Sequence, residues 1–436
     1  MPDIKRYAIV GTGGRYAMYL RAIQREFSNC AQLTGLCDIN EHRARVAADY
    51  AVKLGGESVP TFAADDFDRM VKETGPDIVI VTSVDRTHDK YIIRAMELGC
   101  DVVSEKPMTV TAEKCQAILD AIKSTGRNLR VTFNYRYAPR ASQVKELLMQ
   151  KVVGNIKSVH FEWLLDTRHG ADYFRRWHRD KRNSGGLLVH KATHHFDLVN
   201  WWLDSYPKTV FAMGGLVFYG RDNAESRGIT KFYNRGTDDP NAKGDPFALN
   251  LKNDKRLKQI YYDAEYADGY RRDQSVFSDG ISIEDDMAVM VRYENDVTMS
   301  YHLTAYSPWE GYRIAFNGDQ GRLEFEVHEN SYISGAQDDA NIAENRDVAE
   351  IHEPAKILVR PHWQRPYEVE LKRSNEGGHG GADVRLLQDV FMPGADDPLG
   401  RAANHIDGAK SILTGIAANK SLATGLPVDV RALVDF

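Results

Sequence analysis

The sequence predicts an α/β protein in two units. The first is a doubly wound parallel sheet over residues 1–134, and the second an α+β unit with a large open, mostly antiparallel sheet over residues 135–436. Three features predict this. From Tyr7 to about Asn134 short apolar runs alternate with segments of helical spacing, the pattern of βαβ units whose strands are covered on both faces. Beyond Met149 the runs lengthen and alternate apolar with polar residues, as half-buried strands do. The length of 436 residues suits two cores of ordinary domain size.

The strands of the first unit are read at Tyr7–Val10, Leu33–Ile39, Asp77–Ser83, Cys100–Glu105 and Leu129–Asn134, with helical segments such as Asp89–Leu98 between them. A helix follows at Pro139–Met149. In the second unit the runs Ile156–Leu165, Thr209–Tyr219, Asp286–Tyr293, Val297–Tyr306 and Arg322–Val327 are read as strands, with hairpin turns at Asn295-Asp296 and Asn317-Gly318-Asp319. A buried helix, His190–Leu203, lies between the first two of them. Polar insertions near residues 220–280 and 331–366 interrupt the unit. The first carries Phe232, Tyr233, Phe247, Tyr261, Tyr262, Tyr266 and Tyr270, more aromatic content than a linker needs, and is expected to act as a lid or an oligomer contact.

Composition narrows the function. Lys and Arg total 56 against 62 Asp and Glu, a net charge of −6, so neither a nucleic acid nor an anionic membrane is expected as a partner. The longest apolar runs are strand-sized, and Met1–Arg6 has no apolar leader, so a cytoplasmic protein is expected. Cys30, Cys37, Cys100 and Cys115 form no CxxC pair and read as reduced packing residues.

The turn Gly11-Thr-Gly13-Gly14-Arg15-Tyr16 follows the first strand and opens the first helix, the context of a dinucleotide-binding turn. Gly11 permits the tight turn, Gly13 lets backbone approach a pyrophosphate, and the helix N-terminus supplies unpaired N–H groups. The third glycine is replaced by Tyr16. Asp38 ends the second strand, where a carboxylate accepts hydrogen bonds from ribose hydroxyls and repels a 2′-phosphate. NAD is therefore expected over NADP, a preference that Arg43 could soften.

Glu105-Lys106-Pro107 ends another parallel strand, where open α/β sheets bind ligands. Pro107 holds Lys106 extended, and desolvation beside an oxidised nicotinamide would lower the lysine pKa toward useful values. The glycine turn, Asp38, Thr82-Ser-Val-Asp-Arg-Thr-His88, Glu105-Lys106-Pro107-Met108-Thr109, Asn134-Tyr-Arg-Tyr137 and the tail from Asp407 to Pro427 together resemble the Gfo/Idh/MocA family of glucose–fructose oxidoreductase and inositol dehydrogenase relatives. The resemblance implies an N-terminal Rossmann domain and a C-terminal substrate domain. It makes Lys106 the catalytic lysine, sets Thr82, His88, Glu105, Gly14 and Arg15 beside Gly11, Gly13 and Asp38 along the cofactor channel, and implies a homodimer or homotetramer.

The stretch Ser184-Gly-Gly-Leu-Leu-Val-His190-Lys191-Ala-Thr-His194-His195-Phe-Asp197 carries the densest chemistry. The family pattern has an aspartate and then, four residues on, a histidine at the substrate. Here His194 matches the histidine, whereas His190 stands where the aspartate is expected. On one continuous helix the two would share a face. Zinc binding at this i, i+4 spacing is disfavoured because Lys191 replaces the glutamate of HExxH, and no metal is expected. Tyr135, Arg136, Arg168, Trp177, His178, Lys191 and His195 are candidates for contact with a sugar, and Asp166–Arg182 is the expected substrate loop. Glu376–Asp383, with its glycines, is a second candidate loop.

The expected reaction is alcohol oxidation on a sugar, glycoside or cyclitol: Lys106 or His194 takes the hydroxyl proton, with His190 nearby, while the carbon delivers hydride to nicotinamide. Two other readings exist. One is an NAD-dependent glycosidase that oxidises a ring hydroxyl transiently and eliminates the aglycone. The other is a non-catalytic NAD-binding sensor.

Overall fold

The computed structural model describes residues 4–333, 355–372, 381–392, 394 and 396–436. Six strands, β1 (Lys5–Val10), β2 (Ala31–Asp38), β3 (Thr61–Ala63), β4 (Ile78–Val81), β5 (Asp101–Ser104) and β6 (Leu129–Val131), form one sheet in the order β3-β2-β1-β4-β5-β6. Every pair is parallel. The inner runs Tyr7–Val10 and Val79–Val81 are buried, as residues covered by helices on both faces must be. The order reverses between β1 and β4, so their carboxyl ends part and leave a crevice beside Gly11 and Thr82. The edge strand β3, three residues long, has too short an apolar run to stand out in the sequence.

The second sheet has nine strands: β7 (Ile156–Asp166), β8 (Pro207–Gly215), β9 (Asp286–Tyr293), β10 (Thr298–Ser307), β11 (Gly311–Gly318), β12 (Gly321–His328), β13 (Ala355–Pro361), β14 (Tyr367–Glu368) and β15 (Val428–Asp429). They lie in the order β14-β13-β12-β11-β7-β10-β9-β8-β15. The sheet is mostly antiparallel, but β7 and β10 pair in parallel, which the long excursion between them allows. The insertion expected near 331–366 is not wholly loop. It contains β13, whose Ile357 and Val359 enter the core, whereas residues 334–354 lie outside the described residues. One face of this sheet is closed by helices Thr193–Leu203 and His405–Thr424, with Phe196 packed on Tyr301. The other face is open, with His160, Met213, Met290 and Arg313 exposed on it.

The helix expected at His190–Leu203 is broken. A short helix, Leu187–His190, precedes Thr193–Leu203, and the Ala192 N–H donates back to the Leu187 carbonyl while that of His194 donates to Lys191. These bonds skip the His190 carbonyl, which is left to face the first unit. The C-terminal helix braces both units: a Cβ on Gly408 would lie 2.7 Å from Val131, and one on Gly415 2.2 Å from the Leu188 carbonyl. No helix among the described residues is long and apolar enough to cross a membrane.

Candidate active site

The glycine turn combines a close backbone crossing at Gly11 with open space at Gly13. Gly11 has φ +92°, and a Cβ there would lie 2.5 Å from the Ser83 backbone, so only glycine fits. At Gly13 the nearest atom to such a Cβ would be Tyr261 Oη, 3.9 Å away, which leaves room above the turn. The helix Tyr16–Gln24 begins directly behind it. Thr82 Oγ1 donates to the Gly11 carbonyl at 2.5 Å and ties the ends of β4 and β1 together. Beneath the turn, Glu105 accepts from Arg15 and Tyr19, each at 2.7 Å. Arg15 and Asn134 also reach Asp383, the last residue of the second candidate loop, whose residues 376–380 lie outside the described residues.

Asp38 is buried and holds the turn from the side. Its Oδ2 accepts from the Thr12 N–H at 2.5 Å and from Thr12 Oγ1 at 3.0 Å, and its Oδ1 accepts from the Asn40 N–H at 2.7 Å. Arg43 lies 3.4 Å from the same oxygen and pairs more closely with Asp268 of the first insertion. These contacts, with glycines at the crossing point, fit a dinucleotide: the turn, Thr12 and Asp38 would hold it, and Arg43 is already matched by two carboxylates.

The chemical groups meet where β4 and β5 end. Lys106 Nζ donates to the freed His190 carbonyl at 3.0 Å, which joins the first unit to the histidine segment. The Lys106–Pro107 peptide is cis. His190 Nδ1 lies 2.5 Å from Asp85 Oδ2, in the turn after β4. His178 sets its ring 4.2 Å from that of His190 and stacks on Trp177 at 3.6 Å. Tyr173 meets both imidazoles edge-on and bonds to His169, which in turn contacts Glu310 at 2.8 Å.

Burial and mutual charge tune this group. Burial, with Arg15 and Arg176 nearby, draws the Lys106 ammonium down to about 8, although Asp85 and Glu105 pull it upward. Asp85 is pushed well above the carboxylate range by burial, against the pull of Lys106 and Arg176. Burial and the cations of Lys106 and Arg176 hold His190 and His178 well below the ordinary histidine range, so both rings are neutral. His190 Nδ1 and Asp85 Oδ2 share one proton across their contact. Lys106, Asp85 and the His190 ring thus lie close enough to shift one another's proton affinity.

The other residues singled out in the sequence fall into separate places. His88 has both ring nitrogens against backbone carbonyls, those of Pro107 at 2.8 Å and Ser83 at 3.0 Å, and so links the ends of β4 and β5. His194 stacks on Tyr135 at 4.5 Å rather than sharing a face with His190, because the helix break turns the two apart. Lys191 lies over the Trp163 ring, and His195 stacks on Trp163 with its Nδ1 2.7 Å from Tyr301 Oη. His195 is completely enclosed. Arg136 does not face Lys106 either; its guanidinium is fully buried between Asp197, at 2.5 Å, and Asp407, at 3.1 Å. Trp177 and His178 lie in the ring cluster around His190, and Arg168 lies half-buried on helix Thr167–Arg175. Asp85 is the residue that the sequence left without a role. Its signal was its position, just past the carboxyl end of β4, where the same rule that marks Lys106 applies.

Comparison with known proteins accords with this arrangement. Residues 5–133 match the family described as "Oxidoreductase family, NAD-binding Rossmann fold", and residues 145–430 its C-terminal alpha/beta domain. A Bacillus subtilis (strain 168) protein named as an oxidoreductase, YteT, is 34% identical over 443 residues, 99% of each chain. D-glucoside 3-dehydrogenase of Escherichia coli (strain K12) is 32% identical over 151 residues, 35% of this chain and 41% of that one. A levoglucosan dehydrogenase, solved with NADH and levoglucosan, shares the fold with a TM-score of 0.64 at 17% identity, covering 98% of this chain and 100% of its own. With both family domains matched and the lysine and histidine segments meeting at the carboxyl ends of the parallel strands, the chain belongs to the Gfo/Idh/MocA oxidoreductase family.

Proposed function

We propose that the chain is an NAD-dependent dehydrogenase acting on a secondary hydroxyl of a sugar, glycoside or cyclitol. The observation that carries this reading is the 3.0 Å contact between Lys106 Nζ and the His190 carbonyl, which closes a proton-accepting lysine and an imidazole group on one cleft. The kinship with D-glucoside 3-dehydrogenase supports the substrate class.

Bound nicotinamide supplies the hydride acceptor. The chain does the rest. Lys106, drawn down to about 8, is partly neutral at physiological pH and takes the proton of the hydroxyl. Asp85 balances the charge that forms on the lysine and holds the His190 ring in place through Nδ1. Trp177, stacked on His178, adds an aromatic ring to the group and suits contact with a sugar. Asp38, with Arg43 held between it and Asp268, favours a free ribose over a 2′-phosphate. The open sheet face is the surface we assign to self-association into a homodimer or homotetramer.

The test is single-turnover mixing of dinucleotide-loaded protein with a panel of sugars, cyclitols and aryl glycosides, following nicotinamide absorbance and aglycone release. Reduction of bound NAD by a polyol supports the reading. Aglycone release without net reduction would reassign the chain to redox-neutral elimination, and binding without either signal would make it a sensor.

A further inference from the structure

The first insertion is not an independent flap. Its residues 249–272 lie along the first unit, and several contacts fall on the glycine turn and on the residues around Asp38. Arg256 donates to the Gly14 carbonyl at 2.9 Å, at the rim of the glycine turn. Tyr261 Oη overhangs Gly13. Asn40 Nδ2 donates to the Ala264 carbonyl at 2.9 Å, and His42 Nε2 lies 3.0 Å from that of Gln259. Arg43 joins Asp38 to Asp268.

These polar contacts rest on a small core of their own. Leu249, Leu251, Leu257, Ile260 and Tyr261 pack together, with Val46 of the first unit against them. The far end of the segment reaches the catalytic loop: the Trp177 N–H donates to Tyr270 Oη at 3.4 Å, and the buried Arg272 pairs with Asp172 at 2.9 Å. One stretch of the second unit therefore runs from the glycine turn, past Asp38 and Arg43, to Trp177 and Asp172. An apolar cluster with directional anchors at both ends is a formed wall, whereas a solvated linker would have neither.

We propose that residues 249–272 are an intrachain wall of the dinucleotide site, with Arg256 and Tyr261 as binding residues and Asp268 as a positioning residue that acts through Arg43, and that this wall slows release of the dinucleotide. The inference rests on the reading that the first unit binds NAD(H) and adds a second side to that site. Arg256 brings a cation to the rim where pyrophosphate charge would lie. Asp268 takes up the charge of Arg43 and leaves Asp38 for a ribose. Leaving the site then requires the wall to part from the turn, so the release rate depends on contacts outside the Rossmann unit.

The experiment loads full-length protein with NADH, chases it with excess NAD, and follows the loss of bound NADH fluorescence in the wild type, Arg256→Ala, Asp268→Asn and the double variant. Amide hydrogen exchange over residues 249–272 is measured with and without NADH. The double variant is expected to release NADH about tenfold faster, the scale of one lost charge-assisted hydrogen bond. Amides of the wall are expected to be protected on loading in the wild type. Should the double variant unfold, Arg256→Ala alone carries the kinetic test, since that side chain is exposed. Release rates equal to the wild type, or exchange over 249–272 that ignores NADH, overturn the wall while leaving dinucleotide binding intact. Failure of the wild type to bind NADH at all overturns both readings.

Discussion

In the proposed mechanism Lys106 and Asp85 act as a pair. Lys106→Ala is expected to reduce turnover by about a hundredfold or more, the scale of lost acid–base catalysis, while NADH fluorescence titration shows dinucleotide affinity retained. The sign of the pH dependence follows from the lysine. The neutral amine accepts the proton, so the oxidation rate should rise as pH passes through about 8. Asp85 pulls the lysine upward, so removing its charge lets burial draw the lysine lower still. Asp85→Asn should therefore move the inflection of kcat to lower pH. A profile that stays in place would remove Asp85 from the role of positioning residue. The types and chain positions of Lys106 and His190 are legible in the sequence, and the resemblance sets them in one site; the contact through the His190 carbonyl is not legible, because it depends on the break in the helix.

At the scale of elements, the helix break at Lys191-Ala192 is the decisive local event. Apolar spacing around Phe196, Leu198, Val199 and Trp202 predicts burial correctly and says nothing of a broken ladder, since the residues at the break have ordinary helical propensity. The carbonyl that the break releases is the one that Lys106 binds. The same segment carries Asp197, buried against Arg136, and here a structural and a substrate-binding role make different predictions. Arg136→Met leaves a buried carboxylate short of its main partner and is expected to cost about 3–5 kcal/mol in urea unfolding. If Arg136 instead held substrate, KM would rise with stability unchanged. Pattern alone named the arginine among sugar-binding candidates because cation and aromatic neighbours look alike in sequence whether they face a cleft or a core.

For the whole molecule, the C-terminal helix fixes how the two units sit. Gly415 brings it against the Leu188 carbonyl so closely that an added Cβ would lie 2.2 Å from that oxygen. Gly415→Val is expected to destabilise the protein by about 1–3 kcal/mol, the usual cost of overpacking, and to raise KM by displacing Leu187–His190 from Lys106. Denaturant unfolding and steady-state kinetics on the same variant check both. The fold class itself was written in periodicity: parallel strands buried on both faces read as continuous apolar runs, and strands open on one face read as alternation. The parallel pairing of β7 with β10, and strand β13 in a stretch expected to be loop, depended on partners far along the chain.

By itself the sequence determined the two sheet classes, the glycine turn and its acid, and the lysine at a strand end, because each depends on neighbours within a few residues. Tertiary structure alone decided that Asp85 would meet His190, that Arg136 would turn inward, and that the first insertion would lie across the glycine turn. Those outcomes depend on which distant surfaces bury one another, a balance of packing and charge that local spacing does not encode.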